Sequence, residues 1–141
     1  MEAVSSTLSF MGALLFLLGL LTGFSIPKFR SPRIGLSAHL AAIESGLGLI
    51  AFGLLLLHLR MSIGWASVIA HTMWISLYIQ WIGLVAAGAY ATTRSLPIAG
   101  AGVVPIAKQW QETTARTLIS IGAIGSLVAI GALLAQWRWS A

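Results

Sequence analysis

The sequence predicts an all-α polytopic membrane protein, a four-transmembrane-helix bundle forming a single integral membrane domain over residues 1–141. Three observations carry that class. Hydrophobic residues make up 58% of the chain and charged residues only 8%, against roughly 25% charged in soluble domains. So little charge cannot cover a water-facing surface, and mean hydropathy is +0.95. Four apolar runs each supply the roughly 20 residues that cross a bilayer. They show no period-two alternation, so their backbones are satisfied as helices rather than as barrel strands.

The expected helices are 5–26, 35–59, 64–90 and 114–136. The first is preceded by Glu2 as its only charge, lacks a basic leader and is long for a signal-peptide core, so it reads as a membrane span. "IPKFRSPR" (26–33) breaks it with two prolines and three cations, and "RMSIG" (60–64) is a tight turn before the third helix. "TTRSLPIAGAGVVPIAKQWQE" (92–112) is a longer connection before the fourth. Lys28, Arg30, Arg33, Arg94, Lys108 and Arg116 fall on one side of this plan, and Arg60 and Arg138 on the other. The positive-inside rule then places loops 27–34 and 91–113 in the cytoplasm and both termini outside. Trp65, Trp110, Trp137 and Trp139 sit near helix ends, where interfacial indoles belong.

The net charge of +5 is scattered singly between apolar runs, so it sets topology and implies no nucleic-acid partner. With no cysteine there is no disulfide, no thiolate metal site and no C-x-x-C-H haem attachment. Nucleotide loops, a Ser–His–Asp set and an H-E-x-x-H motif are also missing. Helix one carries Gly12, Gly19 and Gly23, the last two in G-x-x-x-G spacing, and helix four carries Gly122, Gly125, Ser126 and Gly131. Such small-residue seams serve either packing within a chain or contacts between subunits. Four short helices enclose little volume, so a homo-oligomer is expected.

Polar side chains at membrane depth mark candidate functional sites. On helix two, His39, Ala42, Ile43 and Gly46 share a face. That face is small beyond the imidazole, and Gly46 and Gly48 open a slot deeper in the helix. A planar group could lie there with His39 at its edge. Glu44, five residues on, points about 140° away, so the two cannot easily serve one ligand within one chain. The structural alternatives are an interfacial His39 bonded to a carbonyl or water, and a Glu44 that is neutral or paired with an arginine. Helix three separates into a polar stripe (Thr72, Ser76, Gln80) and an aromatic one (His71, Trp74, Tyr78, Trp81). These could contact a small aromatic substrate, or simply glue and fill the bundle. His58 and His71 lie toward the opposite end from His39, which disfavours a bis-histidine site.

"SAHLAAIESG" (37–46), "WISLYIQW" (74–81), "LPIAGAG" (96–102) and "QWQETTAR" (109–116) together resemble the hydroxylaminobenzene mutase family and, more distantly, the membrane-bound styrene oxide isomerases. The resemblance implies an isomerase of small aromatic compounds in a bacterial inner membrane. It implies a trimer with haem b lodged near subunit interfaces, and His39 as the axial ligand of its iron. Ala42 and Gly46 would line the cofactor. Tyr78, Gln80 and Ser45 would position the substrate oxygen, with Ser45 standing where the family pattern tends to have Asn. Trp74, Trp81 and Ser76 would bind the ring, and Glu44 would carry a proton. The iron would serve as a Lewis acid, in a rearrangement of the hydroxylaminobenzene to 2-aminophenol type or of the aryl epoxide to aldehyde type. The competing reading is a small proton-coupled multidrug-type transporter using Glu44. Such exporters carry their glutamate in helix one, which has no charge inside its span here.

Overall fold

The computed structural model describes residues 1–104 and 106–137; Pro105 and residues 138–141, among them Arg138 and Trp139, lie outside the described residues. Four helices form: α1 Glu2–Ser25, α2 Pro32–Leu56, α3 Ile63–Tyr90 and α4 Gln109–Ala135. A 3-10 turn, Ile26–Lys28, follows α1. All four are long and apolar enough to cross a membrane, and no sheet forms among the described residues. The chain is an integral membrane protein.

The helix starts differ from the sequence expectation for local reasons. α2 begins at Pro32, because Ser31 caps it by accepting from the Ile34 N–H and proline suits the first helical turn. It stops at Leu56, three residues early, in a turn that includes His58. α4 begins at Gln109, five residues early. The Gln111 side chain accepts the Lys108 N–H at 2.8 Å, so a polar stretch that looked like loop is the first helical turn. α3 ends on Ala91 in the left-handed region (φ 55°), a conformation more often given to glycine.

The helices pack as two antiparallel hairpins, α1 with α2 and α3 with α4, joined mainly through α2 against α3 and less through α1 against α3. Lipid offers no hydrophobic drive between helices, so close van der Waals fit matters most. In the first hairpin Gly12 meets Gly46. A β-carbon at Gly46 would stand 2.7 Å from the Phe16 nitrogen and 2.8 Å from the Gly12 oxygen. In the second, a β-carbon at Gly122 would stand 2.6 Å from the Ser76 oxygen. α2 and α3 meet at Gly35 and Gly88, and Ser31 N–H donates to the Gly88 oxygen at 3.1 Å. Leu8, Leu15, Leu49, Leu56, Ile69, Met73 and Leu133 form the main apolar core, and Ile34, Ala87 and Ala115 a smaller one.

Candidate active site

His39 lies in the second turn of α2 and turns toward α1. Its Nδ1 is 2.7 Å from the Gly19 carbonyl oxygen. A carbonyl only accepts, so Nδ1 carries the hydrogen, and in a neutral ring Nε2 is then the nitrogen with the free lone pair. The ring is half-buried and lies over Gly23. It lines an open groove of about 380 Å³ with Leu20, Gly23, Phe24, Ile26 and Leu36. Apart from the imidazole that lining is apolar. No set of three or more His, Cys, Asp or Glu gathers among the described residues. His39 therefore offers a single nitrogen donor on an apolar surface, which fits a metal already held by a macrocycle better than a bare ion.

The small face of α2 has a different use from the one expected. Ala42 is fully buried, with its Cβ 3.0 Å from where a Gly19 β-carbon would be. Gly46 is closed over by the backbone of α1 at Gly12 and Phe16. No room remains beside Ala42 and Gly46 for a planar group. The expected slot is the α1–α2 seam, while Gly48 has open space beside it. The Gly19/Gly23 pair likewise packs within the chain, against Ala42, Ile43 and His39.

The aromatic stripe of α3 is tied to α1. The Tyr78 hydroxyl donates to the Met11 carbonyl at 2.8 Å, and Trp81 Nε1 donates to Thr22 Oγ1 at 3.3 Å. Trp81 and His39 are thus anchored to the same turn of α1. Tyr78 is anchored eight residues away, about 12 Å along the helix at 1.5 Å per residue. Trp74 stacks edge-on against Tyr78 at 5.7 Å, and its buried indole N–H has no hydrogen-bond partner. Ser76 and Gln80 lie on the α4 side of α3, in the glycine seam with Gly122 and Gly125. Ser45 is half-buried on α2. Within one chain the structure gathers His39 and Trp81 around one end of α1, but it does not bring Tyr78, Ser76 or Gln80 onto the His39 groove.

Glu44 is exposed on the outer face of α2, flanked by exposed Leu40 and Leu47, with no partner among the described residues. His39 and Glu44 are not brought together. His58 and His71 bond locally to the carbonyls of Leu54 and Ser67.

One polar residue escaped the sequence reading. Glu112, in the first turn of α4, is 5% exposed. Its carboxyl group accepts from the backbone N–H of Arg94 (3.3 Å) and Ser95 (3.2 Å) and from the Ser95 hydroxyl (2.9 Å). It pins the α3–α4 connection to the start of α4, and Arg33 reaches the same connection at the Ala101 carbonyl. The available signal was an acid in a helix's first turn, one of only three acidic residues in the chain.

Comparison with known proteins adds to this geometry. The sequence pattern of the family described as styrene oxide isomerase matches residues 4–138. Hydroxylaminobenzene mutase HabB of Ectopseudomonas oleovorans is 38% identical over 112 residues, covering 79% of this chain and 68% of HabB. Hydroxylaminobenzene mutase HabA of the same organism is 34% identical over 106 residues, covering 73% of this chain and 71% of HabA. No solved structure matches significantly.

Proposed function

Because the chain belongs to the styrene oxide isomerase family, and is therefore an isomerase or mutase, we propose that it rearranges hydroxylaminobenzene to 2-aminophenol within the membrane, with His39 holding a b-type haem. The observation that carries the reading is the His39 imidazole, held through Nδ1 by a carbonyl while the residue lines an apolar groove. Family membership favours this over a proton-coupled exporter.

In this reading Leu20, Phe24 and Leu36 would wall the cofactor and the His39 imidazole would hold its iron. When bound, haem iron supplies a Lewis acid that polarises the substrate's oxygen. The net change is an isomerisation. The N–O bond breaks, a C–O bond forms at the ortho carbon, and the ortho hydrogen is replaced by one on nitrogen, with no external oxidant. The chain's own contribution is to hold the ring and keep water away. Trp81, anchored from α3 to the same turn of α1 that holds His39, flanks the aromatic ring. Trp74, whose buried indole N–H is unpaired, lies about 10 Å along α3 from Trp81 and would meet a substrate oxygen only after a shift of α3. Tyr78, Gln80 and Ser76 are engaged against α1 and α4 of their own chain and would join the lining only after a shift of α3; Ser45 is half-buried on α2.

The assignment calls for a homo-oligomer. A carboxyl group facing hydrocarbon is costly, and such groups face protein interiors, water-filled cavities or partners. Glu44 sits on an outer face about 18 Å along α2 from Pro32, by helix rise. We assign that face to contact with a second copy of the chain, where Glu44 is also available as a proton carrier. Light scattering on detergent-solubilised protein is expected to give a multimer, and a monomer would contradict it. The loops 27–34 and 91–113 are assigned to the cytoplasm of a bacterial inner membrane from their cations.

The test of function is product analysis. Purified protein given hydroxylaminobenzene is expected to release 2-aminophenol, and His39→Ala is expected to release none. The second reading, opening of an aryl epoxide to an aldehyde, is favoured by the family description. Styrene oxide offered to the same preparation distinguishes the two. Proton-coupled uptake lost in Glu44→Gln, without either product, would reinstate a transporter.

A further inference from the structure

We propose that Gly19 and Gly23 are positioning residues that seat His39, fixing both its ring orientation and its tautomer. The inference rests on the reading of His39 as an axial ligand but is carried by geometry of its own. In an α-helix the Gly19 carbonyl already accepts from the N–H of residue 23. Its second lone pair is open to the side only if residue 23 has no side chain there. A β-carbon at Gly23 would lie 2.8 Å from His39 Nδ1 and 3.0 Å from its Cε1, within the space the ring fills. Gly19 acts one turn earlier. A β-carbon there would press on Ala42 Cβ at 3.0 Å and Ile43 N at 3.1 Å. Without it α2 comes near enough for the imidazole to reach the carbonyl at 2.7 Å. The two glycines together make a socket whose floor is a hydrogen-bond acceptor.

The consequence for the ring follows directly. With Nδ1–H committed to a carbonyl, Nε2 is the unprotonated nitrogen of the neutral ring. Metal-bound imidazoles are held in this way, their second ring nitrogen donating to a carbonyl or carboxylate that sets orientation and raises basicity. The other side chains of the groove, Leu20, Phe24, Ile26 and Leu36, have no polar atom that could compete for Nε2. The G-x-x-x-G spacing of α1 is thus more than a packing seam. It prepares the nitrogen donor before any cofactor arrives.

The experiment labels histidine with 15N in haem-depleted protein held in detergent micelles and reads the ring nitrogens by NMR. Wild-type protein is expected to show His39 as the Nδ1–H tautomer. Gly23→Ala is expected to lose that tautomer's uniform signal, while Gly131→Ala, at a position with open space beside it, retains it. Titration with hemin is then expected to be weakened about 10- to 100-fold in Gly23→Ala, the usual effect of losing an outer-shell partner. An Nε2–H tautomer in wild type overturns the proposal, as does Gly23→Ala unchanged in both tautomer and hemin affinity. If Gly23→Ala does not fold, the wild-type tautomer decides alone. If wild type shows the Nδ1–H tautomer yet binds no hemin, the seat stands and the axial-ligand reading fails.

Discussion

The two helical hairpins use the same packing device for different ends. In α1–α2, glycines at 12, 19, 23 and 46 bring the backbones together, and the seam finishes at His39 with one nitrogen bonded and the other free. In α3–α4, glycines at 83 and 122 do the same, and the seam finishes at Glu112. There both carboxyl oxygens are engaged, by two backbone N–H groups and a hydroxyl. One end is chemically open and the other is closed. A polar residue near the end of a glycine seam is therefore not evidence of function by itself. What separates His39 from Glu112 is unused bonding capacity on a residue that lines a cavity.

The comparison is broken most severely at its open end. His39→Ala is expected to abolish haem retention and isomerase activity, a loss beyond the roughly 10- to 100-fold that follows loss of an outer-shell partner. Next comes the seam beneath it. Gly46→Ala places a β-carbon against the Phe16 nitrogen and Gly12 oxygen, so the helices must part, at a cost of about 1–3 kcal/mol. A lowered thermal midpoint in detergent, with weakened haem binding, would check this.

At the closed end, Glu112→Ala leaves the N–H groups of Arg94 and Ser95 without their acceptor. The expected loss is about 1–3 kcal/mol, confined to the α3–α4 connection. Hydrogen exchange at residues 94 and 95 is expected to quicken while the haem spectrum stays unchanged. A spectrum that changed with Glu112 would mean the two ends are coupled. The smallest effect is expected at Gly131, which has open space around it. Gly131→Ala gains about 0.5–1 kcal/mol of helix stability and leaves both ends unaltered, measured by the same thermal midpoint.

The helices were legible because apolar runs of membrane length admit few other structures. Their starts were less so. Pro32 and the polar "QWQE" looked like loop, although proline at the first helical position and a Gln111 cap are sound beginnings for a helix. His39 stood out as a lone imidazole in an apolar run. The use of Ala42 and Gly46 did not, because a small-residue face reads the same whether it receives a cofactor or another helix. Only the register of α1, with Gly12 opposite Gly46, decides between them. The double character of Tyr78 and Trp81 was hidden for a similar reason, since their partners Met11 and Thr22 are distant in sequence. Glu112 was invisible as an anchor because its ligands are the backbone of residues 94 and 95, which no side-chain pattern reveals.

The central claim is that His39 presents Nε2 to a haem on the outer face of the α1–α2 hairpin. The most direct measurement is the optical absorption spectrum of detergent-purified protein, wild type beside His39→Ala. A Soret band in the wild type that is absent from a folded His39→Ala protein is the predicted result. Colourless wild-type protein that still forms 2-aminophenol, or a Soret band unchanged without His39, would contradict it.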